Sequence, residues 1–214
     1  MLKKKNRIIS IYPKKRSKGL FFVKLDNGTT LEISNSILTS ESLKEGGEID
    51  ASNLEKLLSK QEYQSLKDAG LALLRYRMRS KKELYEKLLA KNYRSNNIEL
   101  VLIDFEKNGW INDELFGLAF SKDQINQNAL GPIALKYKLK KYISSDDMIS
   151  KILLSTYSEI KIESIIFKIL KKYTSDDIRE NHILREKIIN KLKRKGHYWQ
   201  DINDSVNKYI EGRF

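Results

Sequence analysis

The chain has 214 residues, 40% of them hydrophobic and 32% charged, with 2 Pro and no Cys. That length can bury a sizeable core in one domain or one and a half, and the missing cysteine excludes disulfides, thiolate metal sites and a thiol nucleophile. No stretch approaches ~20 consecutive apolar residues, so a membrane span is excluded, and the lysines at 3 to 5 have no apolar run behind them, so no secretory signal is expected. A cytoplasmic protein fits best. Its 41 Lys+Arg against 28 Asp+Glu leave a net charge of +13. Such a balance favours polyanionic partners, although a Lys-, Asn- and Ile-rich composition also follows from AT-rich coding.

The charge is uneven. Residues 1–24 carry 9 basic side chains and no acid, and residues 25–62 carry 3 basic and 8 acidic ones. The rest is basic throughout. In the front third, Arg7 to Tyr12 and Leu20 to Leu25 read as β-strands, followed by Asp26-Asn27-Gly28, where Asn-Gly suits a tight hairpin. Thr29 to Ile33 returns with Leu31 and Ile33 on one face. Three small antiparallel strands are expected, with Lys14, Lys15 and Arg16 in the first connection. Gly46-Gly47 then breaks the chain, and a helix is expected to begin near Ser52. The acidic, Gly-containing stretch Glu41–Asp50 reads as a connector, so the front end is expected to be dispensable for folding of the helical body.

From there the hydrophobic period becomes 3.6. Leu66, Ala69, Leu73 and Leu74 form one stripe, Leu84 and Leu88 start another, and Ile98, Val101, Leu102 and Phe105 form a third. Ile162, Ile165, Ile166, Ile169 and Leu170 make a fourth, and Ile202, Val206, Tyr209 and Ile210 the last. Ser80 to Glu83 has the form of a capping box, Ser144 to Asp147 a related one, and Ser95 can cap the helix containing Ile98. Gly109 and Gly196 fall just past apolar stripes, and Pro132 follows Gly131 where a helix should start. These signals cut residues 63–214 into about nine helices.

Leu84 to Asn92, Leu135 to Tyr142 and Ile188 to Gly196 share an apolar residue at i and i+4, a Lys before the second, and a cationic end. Their spacings are 51 and 53 residues. A mainly α fold is therefore expected: an elongated tandem array of three three-helix repeats with a small N-terminal β-rich extension. The expected divisions are 1–50 for the β extension and acidic connector, 51–110 for a leading helix and first repeat, 111–157 for the second and 158–214 for the third.

Catalytic motifs are missing. There is no phosphate-binding loop, no Gly-x-Ser-x-Gly elbow and no His-Glu-x-x-His. His182 and His197 lack a partner pattern and read as surface or repeat-junction residues. Asp146-Asp147 and Asp176-Asp177 read as acids at helix starts, not metal ligands. An enzyme is not expected, nor a metal or cofactor.

The candidate contact residues are basic. Arg75, Arg77 and Arg79 near a helix C-terminus suit its dipole, whereas Lys81 and Lys82 sit in the first turn of the next helix, where positive charge is unfavourable. Residues placed against local stability point to a partner. Lys136, Lys138, Lys140 and Lys141 crowd the corresponding helix one unit along, and Lys193, Arg194 and Lys195 end the third. No clear aromatic stacking platform is evident, so binding to bare single-stranded DNA is expected to be weak and salt-dependent.

At these residues the sequence resembles a known family. Tyr76-Arg77-Met78-Arg79-Ser80-Lys81-Lys82-Glu83-Leu84 is similar to the first-repeat signature of the RecX family. Gly109-Trp110-Ile111-Asn112-Asp113-Glu114-Leu115-Phe116 resembles its second, and Gly131-Pro132-Ile133 with Leu135 and Leu139 its third. The match runs in order over residues 65–214. It departs at Lys141-Tyr142-Ile143, where the family often has Lys-Gly-Ile, and at the Asn-rich Gln124 to Asn128, where many members carry arginines. The resemblance implies a modulator, chiefly an inhibitor, of the recombinase RecA. Such a protein binds the RecA–single-stranded DNA filament and limits its ATPase, strand exchange and growth. It also implies a cytoplasmic protein without cofactor. A monomer that binds single-stranded DNA weakly and no membrane is expected. A general nucleic-acid-binding protein without an obligate protein partner is the alternative.

Overall fold

A computed structural model describes residues 5–213 apart from Arg16 and Lys18. The placement of Arg16 in the first connection thus lies outside the described residues. The chain falls into two compact units: Met1–Tyr76 with Leu88–Val101, and Arg77–Lys87 with Leu102–Phe214.

In the first unit, strands β1 (Lys5–Pro13), β2 (Leu20–Leu25) and β3 (Thr30–Ser34) match the three runs read from the sequence. Two short elements were not expected: the helix α1 (Asn35–Ser40) and a fourth strand, β4 (Glu48–Asp50). The sheet is antiparallel in the order β3-β2-β1-β4, with β4 against Lys5–Arg7. The residues expected to form a connector therefore supply a strand. At the β2–β3 turn only Gly28 takes a left-handed conformation, at φ 86°. Asn27 contributes its side chain instead, its amide oxygen accepting from the Thr29 N–H at 2.9 Å.

Period-2 alternation puts Val23, Leu25, Leu31 and Ile33 on one face of the sheet, where they pack with Ile8, Ile37, Ile49 and Leu57. Leu57 belongs to α2 (Ala51–Tyr76), a 26-residue helix. Gln61 of the same helix accepts the Ser34 N–H at 2.7 Å, and Lys60 pairs with Glu41. The first half of α2 thus completes the sheet's core. A chain lacking residues 1–50 would present Leu54 and Leu57 to water.

The next helices are α3 (Lys81–Leu89) and α4 (Ser95–Lys107), and both cross the division between the units. Ser95 is already helical, so it does not cap α4. The second unit continues with α5 (Asp113–Asn128), α6 (Pro132–Leu139) and α7 (Asp146–Glu159). It ends with α8 (Ile162–Leu170), α9 (Ser175–Glu180), α10 (His182–Arg194) and α11 (Trp199–Ile210). The mainly α fold with a small N-terminal sheet is as expected. The leading helix of the third repeat, however, is broken into α8 and α9. Thr174 and Asp177 form a reciprocal capping box there, and Asp176 pairs with Arg179 at 3.0 Å. These are the helix-start acids the sequence singled out as structural.

Equivalent positions recur in the cores. Leu84, Leu88, Leu135, Leu139, Ile188 and Leu192 are all at most 1% exposed, which is the i, i+4 pair of each repeat's middle helix. Ile165 of α8 joins the core built around Phe116, Leu135, Ile149 and Ile152, whereas its neighbour Ile166 joins that of Ile188, Ile202 and Val206.

Helix ends follow the sequence closely. Gly109 and Gly196 are left-handed at φ 72° and 80°, and Gly131 is the N-cap of α6 with Pro132 in its first turn. Ser145, not Ser144, caps α7 by accepting the Met148 N–H at 3.2 Å.

Candidate functional site

The start of α3 is built around a carboxylate. Ser80 accepts the Glu83 N–H at 3.1 Å, as a capping box requires. The Glu83 side chain does not complete the box by reaching back, because two guanidiniums take it: Arg77 donates at 3.0 Å, and Arg79 forms a buried ion pair with it. Arg79 is only 6% exposed. It is a buried structural group, not a surface contact.

Lys81 and Lys82 also have work within the fold. The Lys81 ammonium pairs with Glu106 at 2.7 Å, and its backbone N–H donates to Asp113 at 2.7 Å. Burial raises the Asp113 carboxyl above the usual range, and that backbone bond opposes the rise. The Lys82 ammonium lies 3.4 Å from the carbonyl oxygen of Lys140, at the C-terminal end of α6. It therefore meets the negative end of another helix, a partner that spacing along α3 alone could not reveal.

Of the lysines on and after α6, Lys138 donates to Gln124 at 2.6 Å and Lys140 pairs with Asp146 at 3.0 Å. Lys136 and Lys141 are exposed, and their ammonium groups make no hydrogen bond or ion pair among the described residues. The Lys82 ammonium thus reaches the backbone at Lys140, next in sequence to the exposed Lys141, in the second unit. Arg75 is exposed at the end of α2. A cleft of about 340 Å³ is lined by Arg77, Met78, Phe116, Phe120, Asp123 and Tyr142. The Phe116 and Phe120 rings stack at 5.9 Å, and Tyr142 lies 5.1 Å from Phe120. Sequence reasoning missed this cleft. Phe116 and Phe120 are an i, i+4 pair, but Tyr142 and Met78 reach it from distant loops.

At the end of α10 the three basic residues diverge. Arg194 is exposed, Lys193 lies 4.7 Å from the centre of the Trp199 ring, and Lys195 is half-buried with its ammonium on the carbonyl of Asn128. Burial, followed by the charges of Lys191, Lys172 and Lys138, lowers the Lys195 pKa. Next to it, the His197 ring nitrogen Nε2 sits 3.0 Å from the Ala129 carbonyl oxygen. A carbonyl only accepts, so Nε2 carries the proton, and Nδ1 is buried without a partner among the described residues. Lys195 and His197 therefore serve the last carbonyls of α5, which ends on a left-handed Ala129. His197 is a junction residue and His182 a surface one, as read from the sequence.

Burial outweighs the Ala129 bond and Asp201, and holds the His197 imidazole below its ordinary value. A depressed folded pKa contributes stability that is fully present above the unfolded value, near 6.5, and is lost as pH falls through the folded one. Between about pH 7.5 and about pH 5.5 the melting temperature is expected to fall more in the parent than in His197→Gln, which keeps a donor but cannot charge. Equal pH slopes would show that His197 does not set this dependence.

Among the described residues no group of three His, Cys, Asp or Glu could hold a metal ion, and no helix is long and apolar enough to cross a membrane.

Taken together, these features define a protein of tandem three-helix units with a small β-sheet in front and exposed lysines on and after α6. The resemblance to the RecX family is borne out. Residues 67–103 match the family pattern "RecX, first three-helix domain". The Regulatory protein RecX of Clostridium tetani is 27% identical over 96% of this chain and 95% of its own length. That of Bacillus cereus strain ATCC 14579 is 29% identical over 89% of this chain and 72% of its own length. A crystal structure of a regulatory protein RecX superposes with a TM-score of 0.72 at 20% identity, covering 95% of this chain and 99% of that one. RecX from Lactobacillus salivarius gives 0.63 at 19% identity, covering 70% of this chain and 97% of that one. The relatives are thus named as regulatory proteins, and the solved structures share the fold.

Proposed function

We propose that this chain regulates RecA by binding the RecA–single-stranded DNA filament and limiting its ATPase, strand exchange and growth. What carries this reading is the likeness, over nearly the whole chain, to proteins named Regulatory protein RecX. Lys82, Lys140 and the exposed Lys141 support it. Tyr142, next in sequence to Lys141, lines an aromatic cleft of a size to take a partner's apolar side chain, which a surface reading only phosphates would not need. No cofactor enters this reading, and the chain acts as a binding protein, not an enzyme.

The decisive measurement is a titration of RecA ATPase on single-stranded DNA. Inhibition is expected at concentrations far too low to coat the bare DNA. Inhibition only where the DNA is coated would instead favour a general nucleic-acid-binding protein. Lys136 and Lys141 are the cleanest probes, because the fold holds neither side chain. The double variant Lys136→Glu, Lys141→Glu is expected to melt as the parent does yet inhibit at least ~10-fold less, equivalent to ~1.4 kcal/mol of association. Parental inhibition by that variant would move the contact surface elsewhere.

A further inference from the structure

We infer that Trp199 and Tyr198, with Lys193 and Arg194, form a stacking platform for the unpaired bases of a single-stranded nucleic acid. The two aromatics are consecutive at the start of α11, and they are 54% and 52% exposed respectively. Exposing two large rings side by side forfeits the burial that most aromatics of this chain obtain. Lys193 stands 4.7 Å from the Trp199 ring centre, and Arg194 beside it is exposed and free of ion pairs among the described residues.

Lys191, Lys172 and Lys138 each lie near enough to Lys195 for their charges to act on it, and Lys195 is two residues from Lys193. The acid close by is Asp201, half-buried in the first turn of α11. Exposed rings, one of them carrying the Lys193 ammonium over its face, with Arg194 alongside, match a polymer that alternates phosphates with flat bases, and base–aromatic stacking tolerates any sequence. An acidic protein would satisfy the lysines but give the indole and phenol nothing in particular. A duplex keeps its base faces covered. The sequence carried a hint in Arg194-Lys195-Gly196-His197-Tyr198-Trp199, where cations run directly into aromatics, but spacing alone did not show that both rings stand in solvent.

This inference does not depend on RecA, and it can fail while the proposed regulation stands. The chain has 2 Trp, so full-length protein carrying Trp110→Phe reports fluorescence from Trp199 alone. Titration with a short oligo-dT should quench that fluorescence saturably, whereas a duplex of equal length should not. Trp199→Ala should bind oligo-dT at least ~5-fold more weakly with unchanged helical content, the lower end expected for one lost stacking contact. Trp199→Phe should recover most of the affinity. Unquenched binding, unchanged affinity in Trp199→Ala, or equal losses in the Ala and Phe variants would overturn the platform. So would quenching by phosphatidylglycerol vesicles in place of oligo-dT, which would make the patch a lipid-facing one.

Discussion

Glu83→Ala is expected to lower the unfolding free energy by about 3–5 kcal/mol, the usual cost of removing one partner from a buried ion pair. The Glu83 and Arg79 side chains are only 10% and 8% exposed, and Arg77 shares the same carboxylate. Removing it takes a shared carboxylate from two guanidiniums, one of them buried. Urea unfolding monitored by circular dichroism should show the loss as a shift in midpoint with little change in slope. Lys81→Ala, which breaks a half-exposed pair with Glu106, is the contrast and should cost less than ~1 kcal/mol. Similar small losses for both would mean that the Arg79 pocket admits enough water to solvate the charge.

The second large effect is expected where two glycines cross. The Gly131 N–H donates to the Lys195 carbonyl at 2.8 Å, and the Ile133 N–H donates to the Gly196 carbonyl at 3.1 Å. A Cβ at Gly196 would lie 2.3 Å from the Ala134 nitrogen, and one at Gly131 would lie 2.5 Å from the Gly196 oxygen. Backbone meets backbone on both sides, so no side chain can rotate away. Gly109 is the internal control, because its φ of 72° resembles the 80° of Gly196 but nothing lies within 4 Å of its added methyl. Gly109→Ala should therefore show the left-handed penalty alone, about 1–2 kcal/mol. Gly196→Ala should add an overpacking term and reach about 2–5 kcal/mol. Equal melting temperatures for the two variants would show that α6 and α10 slide apart without cost.

Much of this arrangement was legible in the residues. Helical stripes, the Asn-Gly turn, Gly131-Pro132 and the glycine stops are local signals, and local chemistry decides helix boundaries. The three strands were legible for the same reason. The elements that escaped notice are short: β4 has three residues and owes its existence to pairing with Lys5–Arg7, while α1 covers fewer than two turns. The site was legible as a set of residue types but not as an allocation of roles. Nothing near Arg79 in sequence says that it is buried while Arg77 is exposed. Nor does anything near Lys82 disclose the end of α6, 58 positions away. Dipole logic applied to α3 alone judged Lys82 misplaced, and the helix it serves was another one.

The capping of α5 by Lys195 and His197 has a consequence in time. The Ala129 carbonyl precedes its His197 partner by 68 residues. At the usual bacterial elongation rate of about 5–20 residues per second, that interval lasts about 3–14 s. During synthesis, α5 and α6 must therefore emerge with their facing ends open to water, and the carbonyls are claimed only when the last helices leave the ribosome. Chains arrested in that interval would hold a formed sheet and an unfinished helical body, the state in which proteases and chaperones would find them.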